Sequence, residues 1–236
     1  MDVRNNILEL WTQIEQDPSQ IDLFLKWLQE SDFFIAPCST KFHLARKGGL
    51  AEHSLHVYML LRQKIERYEL DISESSIIIC GLGHDLCKVN FYKVDEEDPT
   101  PAQSKYFRDI ATLKEKDLCE VQGGLTKAWA SKLIDWIKNG RKGDMPSRDE
   151  AYTVDDKFPM GHGEKSVSIL QDFFHLTEEE KLAIRWHMAA FDASIHFDYP
   201  NGFPFRSAAE IPLVTLLFTA DYEASQIIER EVKDGE

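Results

Sequence analysis

"ICGLGHDLCKV", residues 79–89, sets a histidine beside an aspartate at the end of an apolar run. Ile77, Ile78, Ile79, Cys80 and Leu82 come just before His84 and Asp85, and Val89 and Phe91 follow. An ionisable side chain drawn into such surroundings loses hydration, at a cost of roughly several kcal/mol per charge unless a partner replaces the water. His84 and Asp85 therefore need something to hold.

Working outward, the flanking segments read as helices. Gly48-Gly49 marks a turn, and a helix is predicted from Leu50 to about Tyr68. Its stripe of His53, Val57, Leu60, Leu61, Ile65 and Tyr68 has the spacing of one helix face. Ser73 or Glu74 opens the helix that ends near His84. Residues 5–31 are helically periodic, with a break near Asp17-Pro18. Downstream, "VNFYKVDEEDPTPAQ" (89–103) begins in alternation and reads as a hairpin arm or a loop, with "AYTVDDKFP" (151–159) as a candidate return strand. Residues 107–139 hold one or two helices, and "GRKGDMPSRDE" (140–150) is a loop. "GHGEKSVSILQDFF" (161–174) and "TEEEKLAIRWHMAAF" (177–191) open two more helices, the second with Thr177 and Glu180 in a capping-box pattern. "DASIHFDYPNGFPF" (192–205) is a loop, and residues 207–232 form one long closing helix. The expected fold is all-α: a single helical-bundle domain over residues 1–236, with an insertion at about 93–150 that includes a possible short β-hairpin arm.

Composition bounds the function. The chain has 236 residues, 43% hydrophobic and 11% aromatic, enough for a globular core. It has no apolar run of about 18 residues, so no membrane span is expected. Cys38, Cys80, Cys87 and Cys119 are scattered without a CxxC pair, and "MDVRNNILELW" lacks the signature of a signal peptide. Cys80 and Cys87 read as reduced core thiols, and a cytoplasmic location follows as an expectation. The net charge of −14 disfavours nucleic acid as a partner, without forbidding it. The charge is uneven: residues 105–148 hold ten Lys or Arg against six acids, which makes that segment +4 and the remainder −18. The segment reads either as a solvated helical excursion or as a basic arm that meets a phosphate-bearing substrate or packs on the acidic body.

The closing helix presents Ile211, Val214, Leu217, Phe218, Asp221, Ser225 and Ile228 inward. Asp221 thus sits at a core-facing position, as His53 does on its own helix. Taken singly, a buried His is a hydrogen-bonded core residue and an inward Asp a salt-bridge or capping partner. Together they change meaning, because His53, His84 with Asp85, His187 and Asp221 bring metal-competent groups to apolar faces of four helices, and His162 adds a fifth at a glycine-flanked helix start. Imidazole and carboxylate suit Mn, Fe, Co, Ni and Zn, and bundle cores assemble such sites. Neighbouring helical residues point about 100° apart. His84 and Asp85 can then share one ion only at a helix end, or Asp85 can bridge two.

The order His53, His84-Asp85, Asp221 resembles the H…HD…D signature of the HD superfamily of metal-dependent phosphohydrolases. "KGGLAEHSLHVY" (47–58) resembles the segment carrying that family's first histidine, and "GLGHDLCKV" its HD segment with a lysine three residues on. "GHGEKSVSIL" and "IRWHM" resemble the segments that supply two further histidines in two-metal members. The resemblance covers residues 34–104 and 150–230 and leaves 105–148 unmatched. It implies one or two divalent ions (Mn, Fe, Co, Ni, Zn or Mg), the first held by His53, His84, Asp85 and Asp221. A second ion, bridged by Asp85, would sit on His162 and His187. It also implies a metal-activated water, Asp85 at the catalytic centre, and Lys88 both catalytic and bound to a substrate phosphoryl oxygen.

Further candidates are less sharply marked. His56, one turn beyond His53, is a candidate substrate-binding, orienting or acid group, or a packing residue. Ser39, Thr40, Lys41 and His43 line either a substrate mouth or a structural loop, with Arg46 and Lys47 nearby as phosphate attractors. Glu164 reads as a first-turn acid favourable to the helix dipole, and His175 and His196 as structural. The expected function is hydrolysis of a phosphoester in a nucleotide or related small molecule. The alternatives are a 3'-5' exonuclease or phosphodiesterase on single-stranded or cyclic nucleotides, and a nucleotide-sensing module without turnover.

Overall fold

The computed structural model describes residues 2–109, 124–192 and 203–230. Among these residues it holds ten α-helices and one two-stranded antiparallel sheet, an all-α fold with a small hairpin. Helix α3 (Gly49–Arg67) is central. It packs on α4 (Glu74–Gly83), on α1 (Val3–Trp11) and on the last helix, α10 (Pro212–Glu223). Helix α8 (Glu178–Arg185) closes the bundle against α4, α10 and α7 (His162–Gln171).

The helix starts follow local chemistry. Asp2 accepts from the Arg4 amide, and Asp17 caps α2 (Pro18–Glu30) with proline at its first position, where a missing N–H is harmless. Ser73 accepts from the Ser76 amide. Thr177 and Glu180 form the capping box that the sequence predicts, and the buried Glu180 also accepts from the Ser76 hydroxyl at 2.7 Å. Trp11, Phe24 and Phe174 fill one end of the core, with ring centroids 4.5 and 4.9 Å apart from Phe24.

Two glycines set the spacing on which the centre depends. A Cβ on Gly81 would lie 2.6 Å from the Tyr58 Cα, so α4 reaches α3 only without a side chain there. A Cβ on Gly163 would lie 2.2 Å from the Arg185 carbonyl oxygen, so the start of α7 and the end of α8 meet in the same way. The second contact brings His162 and His187 together.

The hairpin forms as the alternation suggests: β1 (Tyr92–Val94) pairs antiparallel with β2 (Tyr152–Val154), with Lys93 opposite Thr153. Between the strands lie α5 (Pro101–Asp109) and α6 (Lys127–Lys138). They enclose a separate small cluster of Phe107, Trp129, Ala130, Leu133 and Ala151. Residues 110–123 and 193–202, with Cys119 and His196, fall outside the described residues.

The closing helix differs from the expectation. It is not continuous from 207: α9 (Phe203–Ala208) ends first, and α10 starts at Pro212. Ile211, forced out of the helical region by the proline that follows, is extended (φ −82°, ψ 119°). After Glu223 the chain makes a π-helical turn, Ala224–Ile228. The Glu229 amide bonds the Ala224 carbonyl oxygen at 2.9 Å, five residues back instead of four. This inserted residue rotates the end of the helix. The inward stripe therefore stops short: Ile228 is 49% exposed and Glu229 is buried.

Candidate metal centre

α4 ends at Gly83, and the chain passes through His84 and Asp85 into a 3-10 turn, Leu86–Lys88. The backbone changes direction between His84 (φ −56°, ψ −35°) and Asp85 (φ −107°, ψ 17°), so both side chains reach one site. His53 arrives from α3, Asp221 from α10, His162 from the first position of α7, and His187 from just beyond α8.

The distances bring these six residues together. His53 Nε2 lies 3.2 Å from Asp221 Oδ1, 3.6 Å from Asp85 Oδ2 and 3.3 Å from His84 Nε2. His84 Nε2 is 3.6 Å from Asp85 Oδ2. On the other oxygen of the same carboxylate, Asp85 Oδ1 is 2.9 Å from His162 Nε2 and 3.5 Å from His187 Nε2. Asp85 thus faces two groups of imidazoles, one per oxygen. His53, His84 and His187 are fully buried, and Asp85 is nearly so.

Hydrogen bonding fixes the tautomers. A backbone carbonyl can only accept, so His84 Nδ1–H donates to Gly81 (2.9 Å) and His187 Nδ1–H to Ile184 (2.7 Å). His53 Nδ1 lies 3.0 Å from both oxygens of Glu229 and donates to them. Each Nε2 then faces Asp85 or Asp221: that of His84 is a bare lone pair, and that of His53, whose proton affinity its two carboxylates raise, lies 3.2 Å from Asp221 Oδ1. Among the described residues the buried His187 Nε2 has no partner in hydrogen-bond geometry, the Asp85 Oδ1 atom lying 3.5 Å away. Lone pairs that converge in a dry core repel unless a proton or a metal cation lies between them. The donor set thus fits a divalent ion: His53, His84 and Asp221 offer ligand atoms within 4.8 Å of one another, and so do Asp85, Cys87 and His162.

The electrostatics reflect the same crowding. Burial lowers His84 to a pKa of about 4. Burial pulls His53 down too, but the Cys38 thiol and hydrogen bonds with Asp221 and Glu229 raise it well above the usual histidine value. Burial pushes Asp221 and Asp85 up, yet both end well below the usual carboxylate range. His53 outweighs burial at Asp221, and Lys88 with His84 does so at Asp85.

No family model matches the chain, and no curated protein or solved structure matches it.

The rim joins several of the other candidates. Lys88 Nζ, mostly buried, donates to Asp85 Oδ2 at 2.6 Å and lies 3.5 Å from Cys38 Sγ. His43 Nε2 is 3.2 Å from Cys38 Sγ, and its ring sits 5.0 Å from that of His53. His56 Nδ1 donates to Glu229 Oε1 at 2.9 Å. A cleft lined in part by Leu44, His56, Ile228 and Arg230 lies beside Glu229, whose side chain is buried. Ser39 makes two bonds inside its own loop, to the Phe42 amide and the His43 carbonyl. Arg46 pairs with Glu52 at 2.6 Å, Lys41 with Asp135, and Glu164 with Arg185. His175 is exposed, away from the cluster.

Two residues of the centre do not stand out in the sequence. Glu229 lies off the α-helical stripe that ends in Ile228, and only the π turn brings it inward, where two histidines hold its pKa at about 2 against burial. Cys87 reads as a core thiol and is indeed buried, but its sulfur lies 3.4 Å from both nitrogens of His162.

Proposed function

We propose that the chain is an HD-type metal-dependent phosphohydrolase that cleaves a phosphoester of a nucleotide or related small molecule. The observation that carries this reading is the convergence of four imidazoles on two carboxylates, the buried Asp85 and the part-buried Asp221, in the residue order that resembles the HD signature. His53, His84, Asp85 and Asp221 would hold a first divalent ion, and Asp85, His162 and His187 a second. When bound, such ions lower the pKa of water and neutralise phosphoryl charge.

The chain's own residues do the rest. Asp85, with one oxygen toward each group, fixes the spacing of the two positions. Glu229 locks the His53 tautomer and raises its basicity, as carboxylates behind ligating histidines do. Lys88, drawn close by Asp85, offers a point charge to a phosphoryl oxygen. His43 and His56 stand at the rim, where each can bond a leaving-group oxygen or a phosphate.

The test is product analysis with Mn²⁺ against a panel of nucleotides, cyclic dinucleotides and short RNA. Inorganic phosphate or free nucleoside supports the proposal. Mononucleotides from RNA would make the protein a nuclease, and tight binding without products a sensor.

A further inference from the structure

The two groups that face Asp85 are not chemically alike. The first, His53, His84 and Asp221, offers nitrogen and oxygen, although the Cys38 sulfur lies beside it in a group with His43 and His53. The second includes sulfur, because Cys87 Sγ lies 3.4 Å from His162 Nε2 and 3.9 Å from Asp85 Oδ1. The Cys87 amide donates to Ser166 Oγ on α7 at 3.0 Å, which ties the 3-10 turn to the helix that carries His162. The backbone that bears the sulfur is therefore tied down and is not part of a free loop.

Asp85, Cys87 and His162 offer atoms close enough together to share one ion, with the sulfur equally near both nitrogens of His162. Bonds of about 2.0–2.1 Å to nitrogen or oxygen and about 2.3 Å to sulfur give tetrahedral edges of about 3.3 Å between N and O and about 3.6 Å between S and N. The observed edges are 2.9 Å (His162 Nε2 to Asp85 Oδ1), 3.5 Å (His187 Nε2 to Asp85 Oδ1), 3.4 Å (Cys87 to His162) and 3.9 Å (Cys87 to Asp85). They scatter around the ideal values. His187 Nε2, buried and without a hydrogen-bond partner among the described residues, stands 3.5 Å from Asp85 Oδ1 and is the further donor beside this group of three.

We propose that Cys87 is a thiolate ligand of the second ion. This makes the two positions unequal: a hard N/O position for the first ion, and a Cys-His-His-Asp position that prefers Zn²⁺, Co²⁺ or Fe²⁺ to Mn²⁺ or Mg²⁺. On binding, the ion takes the place of the thiol proton, which leaves to solvent, since a coordinating thiol is deprotonated outright. The inference rests on the reading that this cluster holds divalent ions, and it adds the sulfur and the selectivity.

The experiment loads the purified full chain with Co²⁺, counts the ions bound, and records the near-ultraviolet thiolate-to-cobalt absorption. The wild-type protein is expected to show the band. Cys87→Ser and Cys87→Ala are expected to lose it, and Cys38→Ser, which removes the other nearby sulfur, to keep it. In calorimetric titration, Cys87→Ala should lower Zn²⁺ affinity at the second position by at least roughly 10-fold, the lower end of what losing a mere outer-shell partner costs. Mn²⁺ affinity should change less. Bound cobalt without the band, or a band lost in Cys38→Ser but kept in Cys87→Ser, overturns the sulfur ligand and leaves the ion-binding reading standing. No cobalt bound at all overturns both. The wild-type band needs no variant, so a misfolded substitution does not spare the proposal.

Discussion

The His/Asp cluster and the segment between the strands of the hairpin solve opposite problems. Around Asp85, side chains that prefer water are buried on a scaffold of close helix contacts, and the rings of His53, His84 and His187 are each oriented by a carbonyl or carboxylate behind them. Between β1 and β2, a few apolar residues make a small core, and the one buried carboxylate among the described residues there, Asp95, accepts from the amides of Glu97 and Ala128. Lys127 pairs with Glu97 there, and Lys132 donates to the carbonyls of Ala45 and Glu150. The segment meets the loop that bears His43 through Lys132 and the Lys41–Asp135 pair, but supplies none of the six clustered His and Asp residues. Chemistry concentrates where burial leaves polar atoms without water, and the contrast should appear in mutants.

The largest effect is expected at Asp85, which serves both groups. Asp85→Ala should abolish hydrolysis and strip bound ions, as read by activity with Mn²⁺ and by metal analysis. Retained turnover would defeat the two-position scheme. Lys88→Ala should keep its ions but slow hydrolysis roughly 10–1000-fold, the scale of one charged contact to a transition state. An unchanged rate would remove Lys88 from the chemistry. Glu229→Ala leaves His53 without its orienting carboxylate and should weaken ion binding roughly 10–100-fold in calorimetric titration, with Glu229→Gln intermediate. At the far end of the comparison, Trp129→Ala empties the fully buried centre of the small core. It should cost that core about 3–5 kcal/mol and leave ion affinity unchanged, as followed by hydrogen exchange and titration side by side. A lost ion would show that the two regions are coupled after all.

Much of the scaffold was legible because it is written in local chemistry. The stripe through His53, Val57 and Leu61, the Thr177–Glu180 box and the alternation at Tyr92–Val94 each act over a few residues, and the structure has each. His53 and Asp221 could be singled out because a polar residue on an apolar stripe contradicts its neighbours. The end of the closing helix was not legible in the same way. Period counting assumes one residue spacing throughout, and the π turn breaks it, exchanging Ile228 for Glu229. Pro212 did carry a signal, since a residue before proline avoids helical geometry, so the interruption at Ile211 was open to reading. Cys87 was opaque for another reason: its partner His162 is 75 residues away, and only the meeting of α7 with the 3-10 turn brings them together.

The central claim is that the buried acceptors around Asp85 exist to hold cations, and counting ions tests it most directly. The full chain, loaded with Mn²⁺ or Zn²⁺ and dialysed, should retain at least one divalent ion per chain. Chelation should then lower its thermal stability, by about 2.7 kcal/mol for a site that had been held at 100 times its Kd. A folded protein that retains no ion, and whose unfolding is indifferent to chelator, would contradict the account.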